Sequence, residues 1–205
     1  MRQRQGLIFV ISGPSGSGKT TLLKNLLKIP ALRNRLVKSI SFTTRPKRSS
    51  EKKRKDYSFI DEEEFQQKLK AKKILEWTKY LGYYYGTPRD FMERQLAKNK
   101  HVVLCLDLKG ASKIKRLYPE NTVMVFVMPP SLEAIRERIK KRCQKTKTEE
   151  IQQRLKLARK ELLASRLYDY CLVNEDLGQA TRALKDIILS RIFDGVGATP
   201  VELID

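Results

Sequence analysis

Short apolar runs punctuate a chain that is otherwise rich in charge. Residues 7–11 (Leu-Ile-Phe-Val-Ile), 101–107 and 122–128 read as buried strands. A continuous apolar run bounded by turn signals fits a parallel sheet covered on both faces. Residues 170–173 form a shorter strand of the same kind. Between these runs the period becomes helical. Leu22, Leu23, Leu26 and Leu27 mark a helix over residues 20–28, with Pro30 as a stop. Asp61 stands three before Glu64, the form of a capping box. Thr87 is placed to cap a helix reaching Ala97, and residues 109–117 read as a short helix. Ser131 opens a basic helix to Arg142, Thr148 caps the next, and residues 177–192 form the last. Residues 36–42 and 74–81 read as extended, and residues 45–55 as a basic loop. Strands alternating with helices predict an α/β fold with a parallel sheet flanked by helices.

Two stretches break the alternation. Residues 37–91 lack its rhythm, and residues 136–155 are too charged to be core. The expected organisation is one α/β body (6–36, 92–130 and 156–194) carrying an inserted lobe at 37–91 and a helical lid at 131–155, within a single domain over residues 1–194. A loose tail is expected at 195–205. No internal repeat is evident.

Composition narrows the class. At 205 residues and 40% hydrophobic, the chain is long and apolar enough for one self-sufficient core, which excludes wholesale disorder. No stretch approaches the roughly 20 apolar residues of a membrane span, and the run 7–11 is too short for a signal-peptide core. Cys105, Cys143 and Cys171 are odd in number and far apart, so neither a disulfide framework nor a zinc site is supported. A cytoplasmic, reducing compartment is expected. Lys plus Arg number 43 against 23 Asp plus Glu, a net charge of +20, which points to anionic partners.

Gly13-Pro14-Ser15-Gly16-Ser17-Gly18-Lys19-Thr20 satisfies G-x-x-x-x-G-K-[ST], between a strand and a helix. Glycines let backbone N–H groups turn inward around a phosphate, and the following helix aims its positive end at the same anion. Lys19 adds a movable charge, Thr20 a hydroxyl for Mg²⁺, and Thr21 follows at the helix start. A chance match in a chain of this length occurs on the order of 1% of the time at average glycine usage. The loop therefore predicts nucleoside triphosphate binding.

The acceptor follows from an ordered set of fragments. Ser41-Phe42-Thr43-Thr44-Arg45-Pro46-Lys47-Arg48, Asp56-Tyr57, Leu75-Glu76-Trp77 and Tyr84-Tyr85-Gly86-Thr87 resemble the nucleoside-monophosphate lobe of guanylate kinases. With later segments the resemblance spans residues 7–192. Arg45 and Arg48, three apart, can fork onto a phosphate dianion, with hydroxyl donors from Tyr57 and Tyr85. Glu76, in an apolar setting, can accept from guanine N1–H and its exocyclic amine, whereas adenine presents an acceptor there. The resemblance implies that Ser41 and Thr87 reach the O6 side of guanine. It also implies that Asp107, at the carboxyl end of a strand, contacts the base or metal region.

The resemblance further implies ATP contacts from Arg142 and from Asn174, which flanks adenine, and catalytic roles for Lys19, Arg45, Arg138 and Arg154. Arg138 and Arg142, four apart, share one helix face. One departure stands out: family members often carry Asp-x-Asp where this chain has Cys105 and Asp107, and Lys109 follows where glutamine is common. Slower chemistry or altered metal dependence is expected from it. His101, the one histidine, is read as structural. The implied reaction is Mg²⁺-dependent transfer of the γ-phosphoryl group of ATP to GMP or dGMP. Monomer or homodimer, no membrane and no specific nucleic acid complete the expectation. A catalytically silent scaffold and a non-specific polyanion binder are the competing readings, and the intact Lys19 and Thr20 argue against the first.

Overall fold

A computed structural model describes residues 6–49, 51–142 and 148–194, apart from the side chains of Arg142 and Asp194. The expectations for the tail at 195–205, for Cys143 and for the turn between the lid helices lie outside the described residues, as does the side chain of Arg142.

The chain opens with β1 (Ile8–Ser12), α1 (Lys19–Leu26), α2 (Pro30–Arg33) and β2 (Leu36–Lys38). It continues through β3 (Phe42–Thr43), β4 (Ser58–Phe59), α3 (Glu62–Lys70), β5 (Ile74–Tyr80) and β6 (Tyr83–Pro88). Then come α4 (Arg89–Ala97), β7 (His101–Cys105), α5 (Leu108–Leu117) and β8 (Thr122–Met128). It closes with α6 (Leu132–Arg142), α7 (Thr148–Leu163), β9 (Tyr170–Val173) and α8 (Leu177–Asp194). Five parallel strands lie in the order β2-β7-β1-β8-β9, and a second sheet has the order β4-β3-β6-β5.

The uninterrupted apolar run of β1 is explained by its central place in the first sheet. Phe9 and Ile11 pack with Leu22 and Leu26 of α1 and Leu184 and Ile188 of α8. Ile8 and Val10 pack with Met92 of α4 and Ala111 and Ile114 of α5. All five β1 residues are buried, so both faces are covered. Each such side chain contributes roughly 1.5–3 kcal/mol relative to exposure. Helices on both faces and parallel strands make this the expected P-loop kinase architecture. Helices α6 and α7 have a small core of their own, built on Ile135, Ile139, Ile151 and Ala158; α7 runs through the expected boundary between lid and body at 155–156.

The structure corrects several local expectations. The extended stretch 36–42 is two strands in different sheets: β2 pairs with β7, while β3 pairs with β4 and β6. Val37 and Lys38 thus belong to the parallel sheet. Pro30 is the first residue of the short α2, a position where its missing N–H costs nothing. Thr87 does not cap α4; it lies in β6 and Pro88 holds the cap position, because the Thr87 hydroxyl is engaged by Glu76. Asp107 is not in the strand: β7 ends at Cys105, and the Asp107 carboxylate caps α5 by accepting from Gly110 N at 2.8 Å. Thr148 is the first helical residue of α7 rather than its cap. Asp61 does cap α3, accepting from Glu64 N at 2.7 Å, and Ser131 Oγ accepts from Ala134 N at 3.0 Å. His101 serves structure, its Nδ1 accepting from Leu7 N at 3.0 Å.

Candidate active site

The phosphate loop leaves the carboxyl end of β1 and enters α1. β7 and β8 flank β1, so the segments after β7 and β9 open onto the same edge of the sheet, where ligands bind in α/β folds. Gly13, Gly16 and Gly18 have φ of 137°, 93° and 96°, and two of these positions are crowded as well. A Cβ on Gly13 would strike the Val127 carbonyl, and one on Gly18 would strike the Asn174 amide. Lys19 Nζ curls back to the carbonyls of Gly13 and Pro14 at 2.5 and 2.8 Å. Those short bonds hold the ammonium over the loop.

A single cleft of about 1150 Å³ joins this loop to the second sheet. Its walls include Gly13, Ser15, Gly16, Gly18, Lys19, Thr20 and Thr21 on the loop side. Ser41, Arg45, Arg48, Tyr57, Glu76 and Tyr85 line it from the inserted lobe, and Cys105, Asp107, Arg138, Arg154 and Asn174 from the remainder. Three expected site residues stand behind the wall. Pro14 contributes its carbonyl to Lys19. The Ser17 carbonyl accepts from the Asn174 amide at 2.7 Å. Thr87 is fully buried and donates to Glu76 Oε1. Thr87 therefore orients Glu76 instead of facing the cleft.

Glu76 is 2% exposed. Burial pushes its carboxyl up to about 7; the Thr87 hydrogen bond opposes this, the charge of Asp107 adds to it, and Lys113 again opposes. Such a carboxylate keeps unused acceptor capacity aimed at the cleft and strongly favours a ligand that brings donors. A Cβ on Gly110 would stand 2.7 Å from Glu76 Oε2, so only glycine lets the start of α5 approach this group.

The lid arginines reach back to the loop. Arg138 donates to the Asn174 carbonyl at 3.0 Å and lies near the Gly16 and Ser17 carbonyls at 3.5 and 3.4 Å. Arg154 donates to Ser15 Oγ at 2.9 Å and is held by Glu150 Oε1 at 2.6 and 2.9 Å. The inserted lobe is tied to the body as well. Lys24 of α1 pairs with Asp56 at 2.9 Å, and Lys38 of β2 donates to the Lys55 carbonyl at 3.0 Å.

Several residues of the cleft escaped sequence reasoning. Glu51 accepts from Arg45 and Arg48; its signal was a lone acid inside the basic loop 45–55. Glu161 lies two helical turns after Arg154 on α7, and its Oε2 is buried with no hydrogen-bond partner. Burial pushes its carboxyl up to about 7, against the pull of Lys19 and helped by Asp107. Tyr80, at the end of β5, has its phenol pushed up to about 12 by burial and Glu161, against Arg154 and Ser15. Burial also raises the Cys105 thiol, against Lys19 and Lys38, so it stays neutral and is no substitute for a carboxylate.

This geometry defines a class: a P-loop phosphotransferase whose nucleotide loop shares one cleft with the second sheet. The family model described as guanylate kinase matches residues 5–191. A guanylate kinase of Caldanaerobacter subterraneus is 42% identical over 188 residues, covering 92% of this chain and 89% of the relative. One from Thermotoga maritima is 44% identical over 186 residues, with 91% and 87% covered. The crystal structure of guanylate kinase from Anaplasma phagocytophilum superposes with a TM-score of 0.76 at 34% identity, covering 96% of this chain and 91% of that one. The chain belongs to the guanylate kinase family, and its activity is ATP-dependent phosphorylation of GMP. Among the described residues, no helix is long and apolar enough to cross a membrane.

Proposed function

We propose that the two halves of the cleft divide the substrates. ATP seats its phosphates on the loop 13–20, and GMP occupies the inserted lobe, its base read by Glu76 and its phosphate by Arg45, Arg48, Tyr57 and Tyr85. The observation that carries this reading is Glu76: a buried carboxylate with spare acceptor capacity in the same cleft as a phosphate loop. Guanine offers two adjacent donors to it, and adenine offers an acceptor that leaves it unpaired. Ser41 lines the same lobe and contributes a hydroxyl toward O6. These groups address base and phosphate rather than ribose, so dGMP is a second acceptor.

The GMP phosphate oxygen is already anionic, so no general base is required. Catalysis is positioning and charge neutralisation. Lys19, Arg138 and Arg154 move from loop carbonyls and hydroxyls onto the transferring group, while α6 and α7 close to exclude water. Arg142 continues the same lid helix, and Asn174 buttresses Gly18 beside the ATP site.

The donor set fits Mg²⁺. Thr20 offers a hydroxyl, and Asp107 and Glu161 line the same cleft. Among the described residues no three acidic, histidine or cysteine side chains are grouped to hold an ion, and a Mg²⁺ ion in such a site is held mainly by nucleotide phosphates and water. When bound, Mg²⁺ neutralises charge on the phosphates. Thr20 would hold it directly and Asp107 through water. The free thiols Cys105 and Cys171 suit a cytoplasmic setting.

Glu76→Gln tests the assignment. The ratio of kcat/KM for GMP over AMP should fall by at least ~100-fold, because a buried mismatch of donors and acceptors discriminates on that scale. An unchanged ratio excludes Glu76 as the base reader. Lys19→Ala should lower kcat by at least ~100-fold with the fold intact; near-normal kcat contradicts the loop's role.

A further inference from the structure

Glu51 is the one acid in the basic stretch 45–55, and it is 6% exposed. Both of its oxygens accept from Arg45 Nη2, at 2.7 and 3.0 Å. Its Oε2 also accepts from Arg48 N at 3.0 Å, and Oε1 from Arg48 Nη1 at 3.4 Å. The other edges of Arg45 are held too: Nε donates to Tyr85 Oη at 3.2 Å and Nη1 to the Pro46 carbonyl at 2.7 Å. The guanidinium also stands 5.6 Å from the Tyr57 ring centroid. Burial opposes the charge of Glu51, but the Arg45 hydrogen bond holds its carboxyl below the usual range, so it is ionised at working pH.

This carboxylate is misplaced if the pocket only attracts anions. It cancels one of two positive charges at a site meant for a dianion, and it repels that dianion. Its geometry serves a different end. Two like-charged side chains with about 2 kcal/mol of rotamer entropy each would otherwise diverge in the empty pocket. A carboxylate shared between them fixes both before a ligand arrives, so the ordering cost falls on folding and not on binding. We propose that Glu51 is a positioning residue for the acceptor phosphate, tying Arg45 and Arg48 into a preset fork. This rests on the reading that these arginines hold the GMP phosphate.

The test compares Glu51→Gln, Glu51→Asp and Arg45→Lys with the parent enzyme, using steady-state kinetics and inhibition by guanosine. Glu51→Gln should raise KM for GMP by ~10-fold or more, the scale of one lost charge-assisted hydrogen bond. KM for ATP should stay within about two-fold of the parent, as should the inhibition constant of guanosine, which has no phosphate to place. Glu51→Asp, which keeps the charge on a shorter stem, should lie between, and it carries the comparison alone if Glu51→Gln does not fold. An unchanged or lowered KM for GMP overturns the proposal. So does a guanosine constant that rises in step with KM, which would mean general distortion of the lobe. Arg45→Lys separates the two levels: if it leaves KM for GMP unchanged, the phosphate-site reading itself fails.

Discussion

At the scale of single residues, the site runs on carboxylates held against their preference. If Glu76 reads guanine as proposed, it must be ionised to accept, yet burial lifts it to about 7. Acidification from pH 8 to 6 should therefore raise KM for GMP, approaching tenfold per unit below 7; a pH-independent KM contradicts this. Stability carries the opposite sign. The native pKa lies above the ordinary carboxyl value of 4.5, so the native state binds more protons between 4.5 and 7. Stability falls as pH rises through that window, and the penalty is complete above it. Glu76→Gln should thus stabilise the fold by up to about 3 kcal/mol at pH 8 and by little at pH 4.5. Denaturant melts at the two pH values check this; equal effects would show that burial does not set the shift. Glu76 was legible because a carboxylate clashes with its apolar segment, and the two arginines because their spacing suits a phosphate within a recognisable fragment. Glu51, Tyr80 and Glu161 were not, because their roles depend on neighbours brought in by tertiary packing.

At the scale of elements, the lid stands on a core of four buried residues, separate from the two clusters that hold the parallel sheet. Ile151→Ala should cost ~2–4 kcal/mol of lid packing. Amide exchange should quicken in α6 and α7 and not in β1 or β8, and the ratio of ATP hydrolysis to GMP phosphorylation should rise. Uniform acceleration of exchange would show that the lid is not an independent unit. The long apolar strands were readable from period, and the caps at Asp61 and Ser131 from end signals. The stretch 36–42 misled because β2 and β3 run nearly together in sequence, and only pairing assigns them to different sheets. Thr87 and Asp107 carry the side chains of helix caps, and sequence alone does not say that Thr87 is claimed by a carboxylate across the strand.

At the scale of the whole molecule, the charge of +20 divides into a part around the cleft and a surplus elsewhere. Lys19, Arg45, Arg48, Arg138 and Arg154 line one opening and draw anionic substrates to it. Raising salt should therefore lower kcat/KM for GMP more than kcat, as screening weakens steering. The fold's function was legible in advance because its two ligand loops are contiguous in sequence, whereas the lid's contacts with Ser15 and Asn174 join distant segments. The central claim is that this cleft phosphorylates guanine and not adenine monophosphate. Its most direct test is a coupled assay of ADP formation by the purified protein with ATP and Mg²⁺, offering GMP or AMP as acceptor. The account predicts a preference for GMP of at least ~100-fold in kcat/KM; equal rates with the two acceptors would contradict it.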